Sequence, residues 1–328
     1  MKDSHVNHIR NNKKNLVLRA NIIKGIREFF WSKDFLEVET PLILALPGQE
    51  PYLSPMKVEV QNERGQKYQG YLHTSPEYTM KKMLSAGFLN IFSICKCFRN
   101  NESFGGTHNP EFTMIEWYRA EADFYKIMDD VEELFGVLSK SFGKNKFNKF
   151  ERTSMRDLWK KYADADLDDY LNKEKIFELC VKKNYKPGKD EKYEDLFYRI
   201  FLNEIEPKLI EPTIVHHYPA QMAALAKLSD KDKKYAERFE VYINGLELAN
   251  AFSELTDAKE QLKRLKEEQN LRKIQGKDVY DIDMEFVEAL KTMPRSAGIA
   301  LGVDRLVQVF GGCQNIDNVL VLPMSKLF

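Results

Sequence analysis

Residues 97–118 read CFRNNESFGGTHNPEFTMIEWY, and the reading of the whole chain turns on this stretch. It forms two apolar strands joined by a polar loop containing Gly105 and Gly106, with Arg99 at the exit of the first strand and Phe112, Glu116 and Tyr118 on the second. Side chains alternate faces along a strand, so Phe112, Met114, Glu116 and Tyr118 share one face while Thr113, Ile115 and Trp117 share the other. Both faces are bulky, as in a central strand covered on both sides. Glu116 is then the odd residue. A buried carboxylate is costly unless a cation answers it, and removing one partner of a buried ion pair costs ~3–5 kcal/mol. Either a protein Lys or Arg meets Glu116 or a ligand cation does, and the sequence leaves both open.

Composition limits what can surround this stretch. A chain of 328 residues with 43% hydrophobic content buries one large core or two modest ones, and no stretch is apolar enough to span a membrane. Fifty basic and fifty acidic residues cancel, so no overall positive field points to nucleic acid. The first residues, MKDSHVNHIRNNKKN, lack the apolar core of a signal peptide, and the expected compartment is the cytoplasm. Cys95, Cys97, Cys180 and Cys313 show no CxxC or Cys/His metal spacing. Cys95 and Cys97 face one side of a strand and read as small buried apolar residues.

Residues 12–34 carry Leu16, Ile22, Ile23, Ile26, Phe29 and Phe30 at helical spacing, followed by FLEVETPLI as a short strand broken by Pro41. Residues 50–70 suggest a hairpin turning at 62–65. Ser75-Pro76-Glu77 places a hydroxyl, a proline and a carboxylate at a helix start, an N-cap pattern. Residues 124–140 show a second helical period, and 144–211 is a Lys- and Asp-rich run of short helices without visible chemistry. His216 and His217 are adjacent on a strand, so they should point to opposite faces and not chelate one ion together. In residues 237–255, ERFEVYINGLELANAFSEL, Asn244-Gly245 signals a hairpin. Glu247 and Glu254 lie seven positions apart, an odd step, so the strand must bulge or end between them if both are to serve one site. Residues 257–275 form a highly charged helix closing at Gly276, and SAGIALGVDRLVQVF (296–310) is a glycine-punctuated strand running into a helix.

These segments together resemble the class II aminoacyl-tRNA synthetases, specifically the lysyl branch. FRNNES...THNPEFTMIEWY is similar to motif 2, the helix with FLEVETP to motif 1 (about 20–45), and Gly298-x-Ala300-x-Gly302-x-Asp304-Arg305 to motif 3 (about 296–311). The resemblance implies an α+β catalytic domain over 1–328, a mainly antiparallel sheet flanked by helices, with motif 2 at about 91–120, a variable helical insert at about 144–211, and a homodimer through motif 1. Motif 1 begins within the first forty residues, so no anticodon-binding OB domain is expected, and tRNA is not the expected partner. Ser75 in place of Ala and Ala300 in place of Gly look like the free-standing branch that joins (R)-β-lysine to elongation factor P.

The resemblance further implies ATP as substrate and Mg2+ as cofactor, with Arg99 and Arg305 as catalytic cations. It places Asn101, Glu102, His108, Asn109, Phe112, Glu247, Leu248 and Gly302 with them around ATP. Ser75, Pro76, Glu77, Glu116, Tyr118, Asn250, Phe252, Glu254 and Ala300 are implied for the amino acid, and Glu247 and Glu254 for the metal. Activation by ATP is an in-line displacement at the α-phosphorus that needs cations and no nucleophilic side chain. Motif 2 departs from the family by one residue: His108 lies nine positions after Arg99 instead of eight, leaving Glu102 as the adenine reader with Asn101 second. Three readings follow: a ligase acting on elongation factor P, a truncated enzyme charging tRNA or forming lysyl-adenylate only, and a non-catalytic regulatory paralogue.

Overall fold

A computed structural model describes residues 4–143, 147 and 149–328; residues 144–146 and 148 of the expected insert, and the first three residues, lie outside the described residues. The chain divides into two compact units, Met1–Glu121 with Leu255–Phe328, and Ala122–Glu254. Both combine antiparallel ladders with flanking helices, so the class is α+β.

The first unit opens with α1 (His5–Trp31), which starts earlier than its apolar period because Ser4 Oγ accepts the Asn7 N–H and caps it. Its buried stripe, Ile22, Ile26, Phe29 and Phe30, sets the Phe30 ring 5.0 Å from Phe92 and 4.9 Å from Trp117. β1 (Leu36–Glu37) follows, then β2 (Ile43–Leu44), β3 (Met56–Gln61) and β4 (Lys67–Leu72); β2, β4 and β3 form a small antiparallel sheet, the expected hairpin included. After α2 (Glu77–Ser85) come the two strands of the central stretch, β5 (Asn90–Phe98) and β6 (Glu111–Ala120), antiparallel throughout.

The second unit begins with α3 (Phe124–Phe142), capped by Asp123 and ended by Gly143 at φ +65°, a left-handed turn that glycine enters without strain. β7 (Glu151–Ser154), α4 (Met155–Tyr162), α5 (Lys173–Lys182) and α6 (Tyr193–Ile200) follow. The Lys- and Asp-rich segment thus has a buried side, in which Trp159, Leu196, Phe197 and Phe201 join Tyr218 and Tyr242. β8 (Thr213–Pro219), β9 (Tyr235–Ile243) and β10 (Leu246–Ser253) complete an antiparallel ladder, with β7 parallel to β8.

The expectation that His216 and His217 point to opposite faces is overturned here. The β8–β9 register shifts between His216 and Tyr218, with His217 at φ +59°, and the bulge swings the two rings together, Nδ1 to Nδ1 2.7 Å. The opposite-face rule holds only for an unbulged strand.

The chain returns to the first unit with α7 (Ala258–Ile274), α8 (Met284–Ala289), β11 (Ser296–Gly302), α9 (Val303–Gly311) and α10 (Met324–Leu327). One buried ion pair joins three motif segments: Arg19 of α1 binds Asp304 of α9, while Asp304 Oδ2 accepts the Thr113 N–H of β6 at 3.0 Å and Arg19 donates to Thr113 Oγ1 at 2.7 Å. Asp304 is 2% exposed, so Asp304→Ala leaves the Arg19 guanidinium without its counter-charge and the Thr113 amide without its acceptor. The expected cost is about 3–5 kcal/mol, read as a lower urea midpoint at unchanged slope.

Candidate active site

β6 and β11 are antiparallel partners with Glu116 opposite Ala300, Tyr118 opposite Gly298 and Met114 opposite Gly302. On the other side of β6, Glu116 faces Ser93, Met114 faces Cys95, and Phe112 faces Cys97. Directly opposed residues share a face, so small residues of β11 leave open the ground beside Glu116 and Tyr118. Ser75 enters the same place from the start of α2: its hydroxyl accepts the Glu77 N–H at 3.0 Å and donates to Glu116 at 2.6 Å. Tyr118 donates to the second Glu116 oxygen at 2.9 Å. Ser75 and Ala300 thus both border one carboxyl group.

Glu116 is 1% exposed and forms no ion pair among the described residues. Burial, with the Glu77 charge behind it, pushes its carboxyl up to about 8, against the pull of the Ser75 and Tyr118 hydroxyls. Glu77 is answered differently: Lys81, one turn further along α2 and itself 1% exposed, donates to it at 2.6 Å. For Glu116, the question left open by the sequence, no protein cation answers among the described residues, where only hydroxyls meet it. Two acids absent from the sequence reading feel the same field. Glu50 is raised by burial and then by Glu77, and Glu268 of α7 is pushed up to about 8 by burial and then by Glu50. Nothing local marks either: Glu50 precedes a proline in a loop, and Glu268 sits among the charges of α7.

Arg99 leaves β5 with its backbone N–H on the Pro110 carbonyl, 2.9 Å. Its guanidinium lies 5.0 Å from the centre of the Phe112 ring, and its Nε is buried with no hydrogen-bond partner among the described residues. The loop beyond it turns at Asn101, φ +62°, a left-handed position that Asn tolerates. Gly105 and His108 then exchange backbone hydrogen bonds across a tight turn. Arg305, in the first turn of α9, donates through Nε to the Thr107 carbonyl at 3.2 Å and stands 3.0 Å from His108 Nε2. Burial, then the Arg305 charge, lowers the His108 pKa and holds the ring neutral, so it offers polar contacts and no net charge. Asn109 positions the loop: its amide donates to the Glu111 carbonyl and accepts the Met324 N–H.

In the second unit, the β9–β10 register shifts between Glu247 and Ala249, making Leu248 the bulged residue. The bulge converts the odd step into an even one, so Glu247, Asn250 and Phe252 share a face of β10, with Glu254 in phase with them just past its end. Arg238 and Glu240, opposite Phe252 and Asn250, were not singled out from the sequence; they form a buried ion pair in which Arg238 also donates to Asn250 Oδ1 at 3.1 Å and the Tyr218 and Tyr242 hydroxyls donate to Glu240. Their alternate spacing on one strand, basic then acidic, was the available signal.

A family profile described as tRNA synthetases class II (D, K and N) matches residues 2–326. The chain belongs to this family. Among relatives of this class II synthetase, a protein of Proteus mirabilis named elongation factor P--(R)-beta-lysine ligase is 38% identical over 318 residues, 95% of each chain. Identically named proteins of Yersinia enterocolitica (38% over 318 residues, 95% of each chain) and Haemophilus ducreyi (36% over 315 residues, 95% of this chain and 94% of the relative) are similar to it throughout. No helix among the described residues of this synthetase-family chain is long and apolar enough to cross a membrane.

Proposed function

We propose that the chain activates (R)-β-lysine, or lysine, with ATP and transfers the acyl group to a lysine side chain of elongation factor P in the cytoplasm. The observation that carries this is Glu116: a fully buried carboxyl, met only by two hydroxyls among the described residues and bordered by Ser75 and Ala300, is a receptor for an ammonium group. The names of the relatives support the acceptor.

The substrate carboxylate attacks the α-phosphorus, its oxygen bonding there as pyrophosphate leaves. The amine of the acceptor lysine then attacks the acyl carbon of the adenylate, expelling AMP. Arg99, stacked on Phe112 with a free Nε, is the cation placed for the α-phosphate, and Arg305 serves the distal phosphates beside a neutral His108. Phe112 gives adenine a ring to stack on, Glu102 or Asn101 reads its edge, and Gly302 lets the backbone approach the nucleotide. Glu77 with Ser75 and Pro76 receives the amino group near the reacting carbon; Tyr118, Asn250, Phe252 and Glu254 complete the amino-acid contacts. Glu247 of β10 and Glu254, in phase with it just past the strand's end, offer hard oxygen donors that suit Mg2+. When bound, that ion offsets phosphate charge. Exposed Val17, Trp31, Leu36, Leu42 and Ile43, on α1 and the segment after it, support a homodimer through motif 1.

Incubation with ATP, (R)-β-lysine and elongation factor P is expected to release pyrophosphate and raise the mass of the factor by one lysyl group. Absence of both, or stable lysylation of tRNA instead, would reject the reading. Ser75→Ala with Ala300→Gly is expected to shift the ratio of kcat/KM between β- and α-lysine about tenfold toward α-lysine, since one methylene of pocket volume discriminates by about that much; competition kinetics with the two isomers measure it.

A further inference from the structure

His73, Cys95 and Cys97 bring three soft donor atoms within 4.8 Å of one another. Cys95 and Cys97 point to the same face of β5 with their sulfurs 4.0 Å apart, and Cys97 Sγ is 3.9 Å from His73 Nε2. His73 comes from the end of β4, a different sheet, and is pinned there by its backbone: its N–H donates to the Leu42 carbonyl at 2.9 Å and its carbonyl accepts the Phe98 N–H at 3.0 Å. The imidazole and Cys97 are buried, while Cys95 is half-buried and gives a route in from solvent. His73 Nε2 contacts the Lys96 carbonyl at 2.6 Å, and Nδ1 is buried with no hydrogen-bond partner among the described residues. The nitrogen beside the sulfurs is therefore Nε2, which holds the Lys96 carbonyl and stands 3.9 Å from Cys97 Sγ.

Two chemistries join a pair of thiols, and the distances choose between them. A disulfide brings sulfurs to ~2.05 Å and Cα atoms usually within ~6.8 Å, whereas alternate residues of an extended strand stand ~6.6–6.8 Å apart, at the edge of that range. A tetrahedral cation with metal–sulfur bonds of ~2.3 Å and metal–nitrogen bonds of ~2.0–2.1 Å holds its sulfurs about 3.8 Å apart and sulfur to nitrogen about 3.5 Å. The observed 4.0 and 3.9 Å need shifts of a few tenths of an ångström, and the third separation, Cys95 to His73, lies within 4.8 Å and closes by rotation of the half-buried Cys95 side chain.

We propose that His73, Cys95 and Cys97 form a binding site for one thiophilic divalent cation, Zn2+ being the fitting probe. The donor set separates it from any Mg2+ site, since thiolate and imidazole select soft or borderline ions and carboxylates select hard ones. On binding, the two thiol protons leave to solvent, the sulfurs and His73 Nε2 each donate an electron pair, and the ring proton passes from Nε2 to Nδ1. The Lys96 contact is given up, and the proton at Nδ1 has no acceptor among the described residues, so both are costs that the metal bonds must offset. A water entering beside Cys95 completes four ligands. No redox change occurs. The site lies in the floor that carries the nucleotide residues, because Cys97 opposes Phe112 and β5 runs on from Cys97 to Arg99.

The test is titration of the reduced, metal-free full chain with Co2+, followed by Zn2+. One equivalent of Co2+ is expected to produce a thiolate-to-metal charge-transfer band, and one equivalent of Zn2+ to abolish it. Cys95→Ser and Cys97→Ser, which barely change side-chain volume, should each weaken Co2+ binding at least tenfold with an unaltered circular-dichroism spectrum, while Cys180→Ser with Cys313→Ser should leave the band intact. Should Cys95→Ser or Cys97→Ser misfold, X-ray absorption of the zinc-loaded natural chain decides, with two sulfur neighbours and at least one nitrogen expected. The proposal is overturned if the reduced protein gives no band, if the band survives both serine substitutions, or if the zinc has no sulfur neighbours.

Discussion

Glu116→Gln is expected to leave the protein as stable as the natural chain or more so, and to lower kcat/KM for amino-acid activation by about 10²–10³. Stability is spared because the amide has nearly the carboxyl's shape, and the Ser75 and Tyr118 hydroxyls can each donate to its oxygen or accept from its nitrogen. The loss of activity follows from charge: an ammonium 4 Å from a carboxylate gains ~4 kcal/mol at an effective dielectric of 20, close to three orders of magnitude in rate. The pH dependence gives the sign. Folding raises this carboxyl from 4.5 to about 8, so across that window the folded chain holds a proton that the unfolded chain has released. Its contribution to stability is fully present below about 4.5 and is lost as pH rises through about 8. Glu116→Gln removes that loss, so its advantage in thermal midpoint should grow from neutral to alkaline pH. A variant less stable than the natural chain at pH 9 would contradict the account.

Arg99→Ala is expected to lower ATP–pyrophosphate exchange by about 10²–10³, the usual effect of removing one preorganised charge from a transition state. The cause lies in the geometry. The guanidinium is held over Phe112, and its Nε is buried without a partner among the described residues, so no protein contact is satisfied by it there. The fold should persist, since Arg99 makes no ion pair among the described residues and its structural hydrogen bond, to Pro110, belongs to the backbone. Arg99→Lys should recover only part of the exchange, because a lysine lacks the planar fork that spans two phosphate oxygens. Exchange within threefold of the natural chain would remove Arg99 from the proposed role.

The alternation of residues 111–120 was enough to place Glu116 on a strand buried on both faces, and β6 shows it so. The odd step from Glu247 to Glu254 showed that the strand must bulge or end between them if both are to serve one site, and a register shift stands at Leu248. Strand periodicity reports which face a residue takes, and it reports that well. It does not report which strand lies alongside. That Ala300 stands opposite Glu116 and that Ser75 reaches its oxygen are matters of register between segments far apart in the chain. The same blindness hid the approach of His73 to Cys95 and Cys97, where the Cys-x-Cys spacing was visible and the histidine partner was not. At His216 and His217 periodicity failed outright, because a bulge with one residue in the left-handed region leaves no local mark when that residue is neither Gly nor Asn. Glu50 and Glu268 escaped for a different reason: burial raises both, with Glu77 adding to Glu50 and Glu50 adding to Glu268, a property of the folded arrangement and of no single segment.

Calorimetric titration of the protein with (R)-β-lysine at pH 7, repeated in buffers of different ionisation enthalpy, tests most directly whether Glu116 awaits an ammonium ion. A carboxyl near 8 is mostly protonated at that pH and must ionise to receive the ligand, so close to one proton should leave per molecule bound, and the release should vanish in Glu116→Gln. Binding without proton release, or the same release from both proteins, would contradict it.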